Sequence, residues 1–275
     1  MNSEQVEDLV RRAQQGDVRA FERLIAEHLP IVRRFARAFA RGHEAAADLA
    51  QDALLKVYRS IGGYRFQSSF STWLYAIVRN VYLDDARSRA GRDRAAERPL
   101  ELAGYEPLWQ TWRLERPLDV APEPPKWPAG VASAPLDDER GVAEVLALLD
   151  RAGAVGPDGE LLALDRFHAE HLADERLDGG LCVLAHRGDL LAGAAICESW
   201  NDADGIVVQL AVGPGERPEP LMRALLLEAF AHMRERGIET VVAQVGGPGP
   251  DVPEPYASVG LRPVWQQTTW RKPLG

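Results

Sequence analysis

The spacing of apolar residues changes once along this chain, near Pro99, and that change excludes a fold of a single class. Before it, apolar positions recur every three to four residues, the period of an amphipathic helix. Val6, Leu9, Val10 and Ala13 mark one face, and Phe21, Leu24, Ile25 and Leu29 a second. Asp17, after Gly16, is the expected N-cap of that second helix. Ile31, Val32, Phe35, Ala36 and Phe39 carry the period past Pro30 to a stop at Arg41-Gly42. Leu49, Ala53, Leu54 and Val57 place a third helix over about 44–60, closed by Gly62-Gly63. A polar loop, Tyr64-Arg-Phe-Gln-Ser-Ser-Phe70, leads to a fourth helix. It starts at Ser71 or Thr72 and runs through Trp73, Leu74, Ile77, Val78 and Val81 to about Arg89. Residues 1–98 are expected to form an all-α domain.

Prolines then recur from Pro99 to Pro128, including Pro122-Glu-Pro-Pro125, and are expected to prevent regular helix or central strand. Residues 99–126 read as a linker. Its tryptophans, with Trp127 just beyond (Trp109, Trp112 and Trp127), argue that it docks on something instead of floating free. Residues 127–275 alternate strand and helix patterns. Strands are expected over 130–134, 181–186, 190–197, 205–212 and 240–245, with paired strands near 262–270. Helices are expected over 139–152, over 221–236 with Gly237 closing it, and briefly over 256–259. Arg187-Gly188-Asp189 is a hairpin signal between the second and third strands. This half is an α/β domain.

The longest apolar stretches, 181–185 and 190–197, are far short of the ~20 residues of a membrane helix. Met1-Asn-Ser-Glu-Gln is polar and acidic, so no signal peptide is expected. Cys182 and Cys197 lie in apolar runs and read as reduced core residues, which points to a cytoplasmic chain with no membrane partner. The net charge of −9 hides an asymmetry. Residues 1–98 carry 17 Lys+Arg against 13 Asp+Glu, or +4, and the remaining 177 carry 15 against 28, or −13. Such a division suits a polyanion partner for the first domain alone, or an arginine-rich solvated helix surface.

Several spaced segments then agree in order. Asp48-Leu-Ala-Gln-Asp52, Ala53-Leu-Leu-Lys-Val-Tyr-Arg59, Phe70-Ser-Thr-Trp-Leu-Tyr-Ala-Ile-Val-Arg-Asn80 and Asp84 together resemble region two of sigma-70 family sigma factors, of the extracytoplasmic-function type. The resemblance spans nearly all of residues 3–92. It implies that Asp48, Gln51, Asp52 and Lys56 offer a polar helix face to a coiled coil of the β′ subunit of core RNA polymerase. It also implies that the following loop and helix capture flipped bases of the minus-ten promoter element. Tyr64, Arg65, Phe66, Trp73, Tyr75, Arg79, Asn80, Arg87 and Arg89 supply the cations and π-faces that single-stranded DNA requires. Taken singly, Trp73 and Tyr75 also read as core aromatics. An anti-sigma factor is a partner that the resemblance admits. Nothing after Pro99 reads as the helix-turn-helix domain that would address a minus-thirty-five element.

Residues 127–275 resemble the GNAT acetyltransferase fold, a mixed and mostly antiparallel sheet with helices. The resemblance rests on Val183-Leu-Ala-His-Arg-Gly-Asp-Leu-Leu-Ala-Gly193, Gln209-Leu-Ala-Val-Gly-Pro214, Leu225-Leu-Leu-Glu-Ala229, Arg236-Gly-Ile238 and Tyr256-Ala-Ser-Val-Gly-Leu-Arg-Pro263. In that family an Arg/Gln-x-x-Gly-x-Gly/Ala loop holds the pyrophosphate of acetyl-CoA on backbone N–H groups. Here the pattern falls on Arg217-Pro-Glu-Pro-Leu-Met222, with Pro220 lacking an N–H, Met222 adding bulk, and Glu216 and Glu219 adding negative charge. Val212, Arg217, Leu221 and Met222 are the positions that would meet acetyl-CoA, and Tyr256 matches the general acid. Each change opposes the cofactor, so none is expected, and Tyr256 reads as a packing tyrosine. His168 and His171 read as helix surface, with no metal site. The expectation is a sigma-type initiation protein with a regulatory GNAT-like domain in place of the second DNA-binding domain. Its rival is an N-acetyltransferase brought to the transcription machinery by a sigma-like adaptor.

Overall fold

The computed structural model describes residues 3–39, 42–156, 158–173, 177–200 and 203–273. Within its helices, the side chains of residues 3, 38, 39, 42–44, 83 and 86–98 fall outside that description. The chain divides into two compact units, Met1–Asp93 and Arg94–Gly275.

The first unit is helical, with α1 (Ser3–Gln14), α2 (Val18–Phe39), α3 (Gly42–Ser60), a 3-10 turn (Ile61–Gly63) and the part of α4 (Phe70–Leu102) up to Asp93. Asp17 caps α2 as expected, its Oδ1 accepting from the Ala20 N–H at 3.1 Å while Arg12 binds its other oxygen. Gly16 before it has φ 91°, so the turn needs a residue without a Cβ. The apolar faces converge on Leu24, Val32, Phe35, Ala53, Val57, Leu74 and Val78, all buried. Helix α4 continues well past the expected end at Arg89. Residues 90–98 lack apolar periodicity, yet six of the nine are Ala or Arg, which favour helix intrinsically.

The second unit is built on one seven-stranded sheet, in the order β2-β3-β4-β5-β6-β1-β7. The strands are β1 (Glu106–Pro117), β2 (Val131–Ala134), β3 (Val183–Arg187), β4 (Leu190–Ser199), β5 (Asp204–Val212), β6 (Thr240–Gly247) and β7 (Arg262–Arg271). All neighbours are antiparallel except β5 and β6. Helix α5 (Glu139–Ala152), with the short α6 (Leu164–Phe167), covers one face, and α7 (Pro218–Glu235) covers the other, followed by the short α8 (Glu254–Ser258). Cys182 and Cys197 are free and buried, and burial pushes the Cys182 thiol up to about 12. Among the described residues, no helix is long and apolar enough to cross a membrane.

Two expectations fail here. The segment read as a linker contains β1, which lies inside the sheet between β6 and β7. Its prolines, Pro107 and Pro117, stand at or near the strand ends, where the ladder asks least of the backbone N–H. The tryptophans do dock. Trp112 is 1% exposed in the core, the Trp109 ring faces Gly159, and Trp127 donates its indole N–H to Glu228 at 2.9 Å. The terminal pair of strands is instead the single strand β7, and its partner is β1.

Candidate functional site

In the helical unit, the 61–69 segment joins α3 to α4 and gathers four aromatic rings. Tyr64 is buried, with its ring centroid 4.9 Å from Phe66, 5.6 Å from Phe70 and 5.1 Å from Trp73. Its hydroxyl donates to the Ser68 carbonyl at 2.6 Å, and burial raises its pKa. The Ser69 hydroxyl accepts from the Thr72 N–H at 3.1 Å and so caps α4. Arg65 and Asn80 are exposed; Phe66, Trp73 and Arg79 are half-buried. Tyr75 lies in the core, edge-on to Phe35 at 5.2 Å. Arg65 and two half-open rings therefore flank the loop–helix junction with Tyr64 packed against both rings, while Arg79 and Asn80 lie nearly three turns into α4 and Tyr75 packs in the core. Arg87 and Arg89 have side chains outside the described residues.

Asp48, Gln51, Asp52 and Lys56 are all exposed on α3, opposite the buried Leu49, Ala50, Ala53 and Val57. Gln51 also borders a groove of about 370 Å³ between α2 and α3, with Leu29, Leu54, Arg33 and Arg37. That juxtaposition of apolar floor and cationic rim was not apparent from α3 alone. The period of α2 placed Leu29, but not its neighbour across the groove.

In the α/β unit, β5 and β6 pair only from Asp204–Val207 to Thr240–Ala243 and separate beyond it. The opening is a cleft of about 310 Å³, lined by Val208–Val212 and Gln244–Gly246 and bordered by Met222, Pro253 and Tyr256. Its lining residues carry no charge. Burial holds the Tyr256 phenol well above its ordinary pKa, so it stays protonated and can donate. Helix α7 begins at Pro218 beside the cleft, with Arg217 as a cap residue that makes no side-chain bond to the helix. Its first turn therefore lacks the N–H of Pro218 as well as that of Pro220. Glu216 is held by a two-pronged bond from Arg187, at 2.7 and 2.8 Å, which lowers its pKa. Its charge is thus already partnered, and only part of the repulsion expected from Glu216 and Glu219 remains. Val212 and Met222 border the cleft, whereas the Leu221 side chain is wholly buried in the core. His171, expected on an open helix surface, is half-buried and 2.7 Å from Glu198. Among the described residues, no group of three or more His, Cys, Asp or Glu side chains could hold a metal ion.

The family model for Sigma-70 region 2 matches residues 24–92. Those residues are a sigma-70 region 2 domain. The RNA polymerase sigma-H factor of Pseudomonas aeruginosa is 36% identical over 92 residues, which are 34% of this chain and 48% of that one. The ECF RNA polymerase sigma factor SigM of Mycobacterium tuberculosis is 38% identical over 86 residues, 31% of this chain and 42% of that one. The match to this chain thus spans less than half the length of these relatives. Beyond region 2, a GCN5-related N-acetyltransferase from Sphaerobacter thermophilus superposes with a TM-score of 0.54 at 21% identity, over 72% of this chain and 65% of that one. The α/β unit has the GNAT fold. Region 2 contains the aromatic loop and the exposed face of α3, and the GNAT-fold unit contains the cleft.

Proposed function

We propose that this protein is a sigma-type transcription initiation factor, binding core RNA polymerase through α3 and the minus-ten strand through the 61–80 junction. The observation that carries the reading is the set of Arg65, Phe66 and Trp73 at the loop–helix junction, with Arg79 and Asn80 about two turns beyond Trp73 along α4. A single strand needs phosphate neutralisation and stacking surfaces together, and the 64–69 loop with the first three turns of α4 offers both. Tyr64, buried, serves as the floor beneath Phe66 and Trp73, and Tyr75 packs in the core against Phe35. Asp48, Gln51, Asp52 and Lys56, with the groove beside Gln51, support docking of the β′ coiled coil. An anti-sigma factor would compete for the same surfaces.

The GNAT-fold unit is, in this reading, a regulatory or interaction module occupying the place of a second DNA-binding domain. Two prolines in the first turn of α7 leave few donors for a pyrophosphate. Losing one hydrogen bond to a charged group costs about 1.5–3 kcal/mol, or roughly ten- to a hundredfold in affinity. The rival, an N-acetyltransferase, is favoured by one observation, the position of Tyr256 at the open cleft between β5 and β6. Co-purification of the full chain with core polymerase tests the first reading, and calorimetric titration with acetyl-CoA tests the second. Absence of core binding would sink the sigma reading; micromolar acetyl-CoA binding, with amine acetylation abolished by Tyr256→Phe, would establish the enzyme.

A further inference from the structure

Helix α1 carries two residues that reach the 61–69 loop and that neither docking nor base capture employs. Gln14 donates from Nε2 to the Ile61 carbonyl at 3.0 Å and to the Tyr64 carbonyl at 2.8 Å. Arg11 lays its guanidinium 4.6 Å from the centroid of the Phe66 ring and is itself held by Glu7, at 3.1 Å from Nε. The loop needs holding. Phe66 has φ 58°, among the described residues the one non-glycine in the left-handed region. A bulky side chain there is costly and persists only where its surroundings fix it. Gln14 fixes the backbone on the near side of Phe66, Arg11 covers its ring, and the Tyr64–Ser68 bond closes the turn on the far side.

We propose that Gln14 and Arg11 are positioning residues for strand capture, with α1 splinting the 61–69 loop so that Arg65, Phe66 and Trp73 face a single strand in one fixed arrangement. A loop already ordered loses less freedom when it binds, so the splint raises affinity without touching DNA. What the loop reads rests on the sigma reading above; the splint itself does not. None of these contacts involves Asp48, Gln51, Asp52 or Lys56, so docking on polymerase is a separate property.

The test uses the full chain with Gln14→Leu, Gln14→Glu, Arg11→Ala and Arg11→Lys. Three quantities are read: amide exchange in 61–69, affinity for core polymerase, and retention of a randomised single-stranded DNA pool by the polymerase complex. Both Gln14 variants lose the donors and should speed exchange in 61–69 by about tenfold or more, the worth of one or two hydrogen bonds. DNA retention should fall by a similar factor, with core affinity unchanged within about twofold. Arg11→Lys keeps a cation over the ring and should recover most of what Arg11→Ala loses. Unchanged exchange in the Gln14 variants would overturn the splint, and faster exchange with undiminished DNA retention would overturn its role in capture. Should Gln14→Leu loosen α2 and α3 as well, the Arg11 pair decides by the presence or absence of rescue. A wild-type complex that retains no DNA would refute the sigma reading instead, while the exchange measurement still judged the splint.

Discussion

Removing β1 should abolish the fold of the GNAT-fold unit, although the strand lies in a proline-rich stretch. The comparison is between fragments 104–275 and 127–275, which differ by β1 and the turn after it. Trp112 and Leu114 are essentially unexposed, and Leu118 is 3% exposed. Full burial of each leucine is worth about 1.5–3 kcal/mol and the tryptophan about 3–5, giving roughly 6–11 kcal/mol. β7 pairs only with β1, so it is stranded as well. A domain of this size is stable by about 5–15 kcal/mol, so the shorter fragment should lie near or below its threshold. At about 2–4 °C per kcal/mol, any residual melt should come at least 12 °C lower. Near-ultraviolet circular dichroism with temperature measures this directly. A cooperative transition of 127–275 within about 5 °C of 104–275 would refute the argument that β1 is integral to the sheet.

Charge reversal at Asp52 together with Gln51→Lys should weaken core polymerase binding by tenfold or more and leave the melting temperature within a few degrees, because both side chains are exposed. Pro220→Gly with Met222→Gly should raise acetyl-CoA affinity about ten- to a hundredfold by calorimetry, and no gain would show that missing donors are not what limits the cleft. His28 is partly buried against Phe70, its Nδ1–H donating to the Leu24 carbonyl at 2.8 Å, and burial lowers its pKa. The unfolded chain therefore takes up this proton first, so region 2 should lose stability as pH falls below about 6.5 toward the lower folded pKa. His28→Gln should flatten that slope in melts between pH 7.5 and 5.5; an unaltered slope would assign it to other groups.

Where periodicity and burial are the same thing, the sequence was easy to read. α5 spans the expected Glu139–Ala152, and α7 and β4 lie within a few residues of their predicted bounds, because each buries one face against its own neighbours. β1 was missed because proline frequency is a local signal, whereas an interior strand is decided by partners more than a hundred residues away. The end of α4 was missed for the opposite reason, since intrinsic propensity without an apolar stripe leaves no periodic trace. Of the candidate interface, residue types and order were legible, but exposure was not. Tyr64 and Trp73 are both aromatics near a glycine pair, yet only their packing tells floor from surface. Gln14 carried no signal at all, as one amide donating to two carbonyls depends on a loop folding back over α1.

The position of β1 also orders events on the ribosome. Gln110 and Thr268, neighbours across the finished sheet, are 158 residues apart in the chain. At roughly 5–20 residues per second, β1 waits about 8 to 30 seconds for its partners to be made. Region 2, whose contacts are local, can be complete before that interval begins. During it, a strand bearing Trp112 and Leu114 has no ladder on either side, the condition in which strands find partners on other chains. Substitutions that make β1 more apolar would therefore register first in the yield of soluble nascent protein, before any binding site on the finished molecule felt them.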